Sequence, residues 1–212
     1  MFTAYIKELE ESLRGNLPAY EAHRKVMNHR KPIDQLDIKN LNARQSAVLI
    51  HLYPKKEQLH TVFIQRPMYD GVHSGQIALP GGKAEEFDDS LEATALREAD
   101  EELNIKAKDI KVIGKLTPIY VPPSNFMVHP IIGFQEGRPN FKIQESEVAS
   151  FIECKLDHLV GEDKLISSQV VAGGNRINTK GFQLEEHFVW GATGMMIKEF
   201  AEVLDQLTRS PA

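Results

Sequence analysis

The acidic segment READEELNI, residues 97–105, contains side chains with the spacing of a cation site. If the segment is helical, residues three and four positions apart lie on one face, so Glu98, Glu101 and Glu102 can project towards one region of space. Converging carboxylates repel one another, and either protonation or a divalent cation relieves that repulsion. Carboxylate oxygens suit Mg²⁺ or Mn²⁺ and leave open positions for phosphate oxygens. Such a triplet is also typical of an acidic surface helix, and Asp100 is predicted to point away from it.

The segment before this helix, LPGGKAEEFDDS, has features of a phosphate site. Gly81 and Gly82 are adjacent, and two glycines permit a tight turn whose backbone N–H groups a phosphate can approach closely. Lys83 follows them and supplies positive charge. A simple turn would also account for Pro-Gly-Gly. The prediction of a phosphate site therefore depends on the glycines and the carboxylates occurring together.

Together the two segments form GGKAEEFDDSLEATALREADEELNI, which resembles the signature of the Nudix hydrolases, G-x5-E-x7-R-E-U-x-E-E-x-G-U with U aliphatic. The resemblance implies an α+β fold, an α/β/α sandwich around a mixed sheet, and hydrolysis of a nucleoside diphosphate linked to another group. It also implies that Glu98, Glu101 and Glu102 hold Mg²⁺ or Mn²⁺ and act in catalysis. Arg97 is then expected to orient a carboxylate by a bidentate pair.

Two positions depart from that signature. The interval from Gly82 to Arg97 is one residue too long, so the first acidic position falls on either Asp88 or Asp89. Asn104 stands in place of the second glycine. Because Asn tolerates the left-handed conformation at a helix C-terminus, we expect the turn to be preserved.

The segment FIQRPMYDGVHSGQIALPGG resembles a motif of the coenzyme A-cleaving branch of that family. The implied substrate-binding positions are Arg66, His73, Gly75, Gln76, Gly81, Gly82 and Lys83. The implied reaction is hydrolysis of the pyrophosphate bond of coenzyme A or a derivative to 3′,5′-ADP and 4′-phosphopantetheine. Gly71 replaces an arginine of the motif, which favours the alternative of another substrate, such as an ADP-sugar, a dinucleotide or an oxidised nucleotide. A Nudix-like binding module without catalysis is the second alternative.

Several residues outside these motifs have two interpretations. Glu147 is either a further metal ligand or general base, as the resemblance implies, or a solvated residue near a strand end. His73 either contacts phosphate or hydrogen-bonds its own loop. Trp190 and Cys154 are predicted to be core residues. The sequence does not decide whether the general base is a helix glutamate or Glu147.

The elements that must position these residues follow from hydrophobic spacing. Residues 3–14 and 19–31 predict two helices, and residues 46–54 and 59–67 predict a β-hairpin. A helix over residues 90–103 is predicted to begin at a capping box formed by Asp89 and Glu92. Further strands are predicted up to residues 182–192, followed by an amphipathic helix over residues 193–207. Many strands without regular βα alternation indicate an α+β mixed sheet.

Length and composition restrict the remaining possibilities. We expect a helical extension over residues 1–40 and a Nudix hydrolase domain over residues 41–212. The chain has 212 residues and a formal net charge of −5, which argues against partners that are nucleic acids or membranes. It has one cysteine, so a reducing, cytoplasmic location is expected. The expected partner is a small nucleoside diphosphate substrate, and a homodimer is possible.

Overall fold

A computed structural model of the protein describes residues 2–28, 30–71, 73–172 and 174–209. The helices are α1 Thr3–Leu13, α2 Ala19–Val26, α3 Ile38–Leu41, α4 Leu91–Leu103 and α5 Gly191–Arg209. The strands are β1 Arg44–Lys55, β2 Gln58–Gln65, β3 Ile77–Ala78, β4 Gly81–Lys83, β5 Lys111–Lys115, β6 Ile119–Val121, β7 Phe126–Phe134, β8 Ser150–Lys155, β9 Leu165–Ala172, β10 Asn175–Leu184 and β11 His187–Val189. Among these described residues, no helix is both long and apolar enough to cross a membrane.

Strand β1 lies at the centre of a mixed sheet. It runs parallel to β7 and antiparallel to β2 and β4. The path of the sheet is β3-β2-β1-β7-β5, with β4 on β1, β6 on β7 and β8 on β2. Strands β9, β10 and β11 form a separate antiparallel sheet. The prediction of an α+β fold with a mixed sheet is confirmed.

The alternation of side chains along β1 gives the sheet two buried faces. Ala47 and Leu49 face α4, where they join a cluster with Ala95 and Ala99 of that helix. Ile50, one of the residues of opposite parity, joins the larger core on the other face. Successive side chains of a strand point to opposite faces, and β1 is apolar at both parities, so it can be covered on both sides. The helices therefore pack on both faces of the sheet.

The N-terminal helices are packed into the larger core. Ile6, Leu9 and Leu13 of α1 are buried in the same cluster as Phe200 of α5. Where α2 packs against α5, His23 Nε2 lies 2.8 Å from Glu199 Oε2. Division of the chain at residue 40 remains a prediction, but the N-terminal segment shares its core with α5.

Three local predictions are tested by the element bounds. The hairpin is confirmed, with a two-residue turn at Lys56 and Glu57, both of which have positive φ (48° and 61°) as type I′ turns require. The predicted strand over residues 182–192 is instead the end of β10, a turn and β11. Its turn is marked by Glu185, which has φ of 52°. The predicted capping box is wrong: Ser90 is the N-cap of α4, and its Oγ accepts a hydrogen bond from the Ala93 N–H at 3.1 Å.

Candidate active site

Helix α4 presents the acidic side chains, and both of its ends are stabilised locally. Its N-terminus is capped by Ser90. Its C-terminus ends at Asn104, which has φ of 59° and ψ of 33°. This left-handed conformation agrees with the expectation for the residue that replaces the signature glycine. The helix is therefore held in place at the two positions between which the carboxylates lie.

Three glutamates bring carboxylate oxygens together: Glu98, Glu102 and Glu147 each place one oxygen within 4.8 Å of the other two. Glu98 and Glu102 are one helical turn apart on α4. Glu147 lies in the turn before β8, and backbone hydrogen bonds connect that turn to the end of α4. In that turn, the Gln144 N–H donates to the Glu102 carbonyl at 3.0 Å and the Glu147 N–H donates to the Gln144 carbonyl at 2.9 Å. The end of α4 thus positions the third carboxylate.

Burial makes this carboxylate group costly without a counter-ion. It raises the pKa of Glu102 to about 8, although the Gly81 N–H donates to Glu102 Oε2 at 2.8 Å and opposes the shift. Burial likewise raises the pKa of Glu98, opposed by Arg97. A divalent cation would restore the charged forms of both side chains. Three carboxylate oxygens are a donor set suited to Mg²⁺ or Mn²⁺, so the residues present fit such an ion.

Arg97 is the residue that organises the carboxylates around this group. Its Nε and Nη2 each donate to Asp88 at 2.9 Å, which is a bidentate pair. Its Nη1 donates to Glu98 at 2.9 Å and to Glu101 at 3.0 Å. The Arg97 guanidinium holds the pKa of Asp88 well below its usual range. Of the two alternatives, Asp88 is the acid that faces Arg97, whereas Asp89 is exposed.

Glu101 lies outside the close group. Its side chain is 53% exposed and contacts Arg97. Glu101 and Glu102 lie three and four residues beyond Glu98, on either side of it around the helix, and of these two only Glu102 faces the buried side. A catalytic or metal-binding role for Glu101 remains a prediction. Asp100 pairs with Lys106 at the surface, in agreement with the expectation that it points away from the other acids.

The prediction that Gly81 and Gly82 form a phosphate-binding turn is not what the structure shows. Gly81 and Gly82 lie in strand β4 and pair with Val48 and Ala47 of β1, so they do not form a turn. The Gly81 N–H is already bound to Glu102 and is not free for phosphate. A Cβ on Gly82 would lie 2.4 Å from Oε2 of Glu98. Gly82 is therefore required because the Glu98 carboxylate approaches the backbone of β4. Gly81, with φ of 150°, is required because a Cβ there would lie 2.3 Å from the Ala47 carbonyl oxygen.

The loop between β2 and β3 holds the other predicted substrate-binding residues. The Arg66 N–H donates to the Gln76 carbonyl at 3.0 Å, and the Gly75 N–H donates to the Pro67 carbonyl at 3.1 Å. Gly75 has φ of 65° and closely approaches the side chain of Met68. His73 Nδ1 lies 3.0 Å from Gln76 Oε1, so its partner here is a side chain of its own loop. Contact of His73 with phosphate remains a prediction.

A cavity of about 860 Å³ lies on the face of the sheet opposite α4. All of the predicted substrate-binding residues except Gly75 line it. The three close carboxylates are not in its wall. Gly81, Gly82 and Arg66 belong to both places: the glycines contact Glu102 and Glu98, and the Arg66 charge acts on Glu102. A substrate whose phosphate lies beside the carboxylates can therefore extend past Gly81 and Gly82, which have no side chains, into the cavity.

The cavity wall also contains residues that were not predicted as site residues, and Trp190 and Arg30 are two of them. Trp190, predicted to be a core residue, is only half-buried and lines the cavity, because it lies in the turn between β11 and α5. Arg30 lines the cavity from the segment after α2. The basic composition of HRKVMNHRKP was the only sequence signal for Arg30, and such runs usually face water. Cys154 is buried, as predicted, and burial raises its pKa to about 12.

Comparisons with known proteins agree on one family. The family profile described as NUDIX domain matches residues 43–169. The Nudix hydrolase NudL of Salmonella dublin is 34% identical over 167 residues, which cover 79% of this chain and 86% of that protein. The NudL of Salmonella newport matches to the same extent, 34% over 167 residues.

Solved structures share the fold at low sequence identity. A MutT/nudix family protein from Enterococcus faecalis aligns with a TM-score of 0.54 and 18% identity, covering 99% of this chain and 77% of that one. A MutT protein from Methanosarcina mazei aligns with a TM-score of 0.51 and 17% identity, covering 79% of this chain and 96% of that one. At these identities the likeness concerns the fold alone.

Proposed function

The chain belongs to the family of NUDIX-domain hydrolases, and from this premise we propose that it hydrolyses the pyrophosphate bond of coenzyme A or a coenzyme A derivative. Family membership makes it a Nudix pyrophosphohydrolase. The proposed site rests on one observation: carboxylate oxygens of Glu98, Glu102 and Glu147 lie within 4.8 Å of one another. They lie beside Gly81 and Gly82, which form the glycine wall of a large cavity. We also propose that the enzyme works in a reducing, cytoplasmic location, since Cys154 is its only cysteine.

The side chains of the site have distinct roles in this proposal. Glu98 and Glu102 would hold Mg²⁺ or Mn²⁺, and the Glu147 carboxylate lies beside them. When bound, the cation stabilises the negative charge that develops on the phosphate oxygens during the reaction. Arg97 keeps Glu98 in position through the hydrogen bond at 2.9 Å and is itself fixed by Asp88. Misplacement of a ligand by about 1 Å can cost 100-fold in rate, so this positioning is needed for activity.

The reaction requires a group that accepts a proton from water. Water attacks one phosphorus atom, the bond from that phosphorus to the bridging oxygen breaks, and the bridging oxygen leaves with the other phosphate. We assign the general base to Glu147. It is exposed, whereas Glu102 is buried and Glu98 is held by Arg97. In the described part of the chain no cation pairs with Glu147, so its carboxylate is available to a water molecule.

Coenzyme A is the favoured substrate because the loop that resembles the coenzyme A motif lines the cavity. Arg66, His73 and Gln76 are all in its wall. The cavity also has an extensive apolar lining, including Val48, Phe126 and Trp190, that suits the uncharged parts of a large substrate. Gly71 lines the same cavity without a side chain, and this supports the alternative of another nucleoside diphosphate derivative.

The test is a substrate panel with the purified protein. It is incubated with Mg²⁺ or Mn²⁺ and with coenzyme A, an acyl-coenzyme A, ADP-ribose, NADH, a diadenosine polyphosphate or 8-oxo-dGTP, and products are separated by chromatography. We expect 3′,5′-ADP from coenzyme A and no turnover after chelation of the metal. Faster hydrolysis of another substrate would overturn the coenzyme A assignment, and hydrolysis of none would overturn the proposed activity.

Substitutions in the carboxylate group test the site itself. Glu102→Gln and Glu147→Gln should each lower kcat by about 100-fold or more, because each removes a ligand or the base. Glu92→Gln is the matched control, since Glu92 is an exposed glutamate of the same helix. Full activity in both site variants, with retained circular dichroism spectra, would contradict the assignment.

A further inference from the structure

Arg30 is a cation of the N-terminal segment that lines the cavity and has almost no partners. Its Nη1 donates one long hydrogen bond, 3.4 Å, to the Tyr120 carbonyl. Its Nε is buried and has no hydrogen-bond partner among the residues that the structure describes. Burial lowers the pKa of its guanidinium, and no described carboxylate opposes the shift. Most of the five N–H donors of this side chain therefore have no acceptor in the described part of the protein.

An arginine in this condition costs free energy in the folded protein. A partly buried charge without a counter-ion loses hydration and gains no attraction in return. Donors that are buried without acceptors add a further penalty. An anion bound in the cavity would supply the missing acceptors. Arg30 is therefore suited to bind an anionic ligand, which would supply its missing acceptors and counter-ion.

The charge of the cavity wall favours an anionic ligand. The described residues of the wall include the cationic side chains of Arg30, Arg66 and Lys83. No aspartate or glutamate is among the described residues that line it. The whole protein, in contrast, carries a formal net charge of −5. Positive charge is therefore concentrated at this surface, where it attracts phosphate groups.

Arg30 lies far from the glycine wall formed by Gly81 and Gly82. It contacts β6, whereas Lys83 lies in β4. Between these two strands lie β7 and β1, in the order β6-β7-β1-β4. Neighbouring strands are about 4.8 Å apart, so β6 and β4 are separated by about 14 Å. The two phosphates of a diphosphate share one bridging oxygen and cannot span that distance, so Arg30 must serve a different group.

We propose that Arg30 binds a phosphate monoester carried by the nucleoside of the substrate, separate from the diphosphate that is hydrolysed. The N-terminal segment then determines specificity, because it selects nucleotides that carry this third phosphate. The inference rests on the proposed function for the position of the diphosphate. Such a monoester is found at the 3′ position in coenzyme A and at the 2′ position in NADPH, and the experiment separates the two.

Matched pairs of substrates test this inference by kinetics. The values of kcat/KM are measured for coenzyme A against dephospho-coenzyme A, and for NADPH against NADH. In the wild-type protein we expect one phosphorylated member to be preferred at least tenfold, which identifies the 3′ or the 2′ position. In Arg30→Gln that ratio should fall to near one, mainly through KM, and in Arg30→Lys it should be intermediate, because lysine lacks the planar fork.

Binding without turnover separates this inference from the proposed function. Calorimetry with adenosine 3′,5′-bisphosphate, adenosine 2′,5′-bisphosphate and AMP, in the presence of EDTA, should show at least tenfold tighter binding of one bisphosphate, and Arg30→Gln should abolish the difference. This result would stand even if coenzyme A were not hydrolysed. Equal binding of all three nucleotides by the wild-type protein would overturn the inference.

Two controls exclude a structural effect. Arg24→Gln changes an exposed arginine of the same segment that is paired with Glu21, and it should leave every ratio unchanged. Thermal unfolding is measured for each variant, and Arg30→Lys decides the inference if Arg30→Gln does not fold. An equal loss of affinity for all nucleotides in Arg30→Lys would show a structural role and overturn the inference.

Discussion

At the scale of single residues, the candidate site depends on close contact between carboxylates and backbone. Gly82 leaves room for the Glu98 carboxylate, which Arg97 holds from the other side. The Glu98 side chain therefore has little freedom to move away from a new group at Gly82. Arg97 has little freedom either, because its bidentate pair with Asp88 fixes the guanidinium.

This contact predicts the effect of one added methyl group. In Gly82→Ala, the Cβ would lie 2.4 Å from the Glu98 carboxylate and displace it from the cation site. We expect kcat to fall by about 100-fold, since displacement of a ligand by about 1 Å has that effect, with the fold retained. Steady-state kinetics and circular dichroism provide the measurement.

Gly137→Ala is the matched control for this substitution. Gly137 is an exposed loop glycine, and a Cβ there would have no described atom within 4 Å. Unchanged kcat in Gly82→Ala would show that Glu98 does not need its observed position.

At the scale of elements, the cavity is completed by α5 and by the segment that follows α2. His23 of α2 donates to Glu199 of α5 at 2.8 Å, and both side chains are buried. The other Glu199 oxygen accepts hydrogen bonds from the Thr117 hydroxyl at 2.7 Å and from the N–H groups of Thr117 and Ala19 at 3.3 Å. Because the segment that contains Arg30 begins where α2 ends, at Val26, this network also anchors the start of that segment.

Removal of the His23 side chain should loosen the contact between α2 and α5. His23→Ala leaves a buried acceptor of Glu199 without its donor, which costs about 2 kcal/mol of the free energy of unfolding. His23→Gln retains an N–H donor and should recover part of that loss. Urea unfolding measures both variants, with Arg24→Ala as an exposed control on the same helix. Equal stability of His23→Ala and wild type would contradict a structural role for this hydrogen bond.

At the scale of the whole molecule, one buried histidine should make stability depend on pH. His51 is fully buried in β1, and within the described ranges of the chain neither of its ring nitrogens has a hydrogen-bond partner. Burial lowers its pKa to about 4 from an ordinary value of 6.5. Gln135 lies close enough to oppose this shift, but its Oε1 has no hydrogen-bond partner either. The unfolded chain therefore binds more protons than the folded protein between pH 4 and 6.5.

The expected result is a loss of stability as the pH falls through this window. The loss from one such proton is at most about 1.4 kcal/mol per pH unit. In His51→Leu this part of the pH dependence should disappear, whereas the exposed His158→Gln should behave like wild type. Urea unfolding at intervals from pH 4.5 to 7 provides the measurement. An unchanged slope in His51→Leu would show that His51 is not the group responsible.

Local patterns predicted most of the elements and two of the three residues of the close carboxylate group. The hairpin, α4 and α5 follow from hydrophobic spacing, and the pairing of Glu98 with Glu102 follows from the helical repeat. The start of α4 was placed one residue early because Asp89 and Ser90 are both good N-cap residues. The strand predicted over residues 182–192 was divided by a turn at Glu185, where the sequence has no glycine or proline to mark it.

The sequence by itself determined the family, the helix and the arginine with its neighbouring acids, because these depend on residues a fixed number of positions apart. Only the tertiary structure decided that Glu147 joins Glu98 and Glu102, that the glycines form a wall instead of a turn, and that Arg30 enters the cavity. These features join segments that are far apart in the chain. Their positions depend on how sheets and helices pack, and no local spacing encodes that packing.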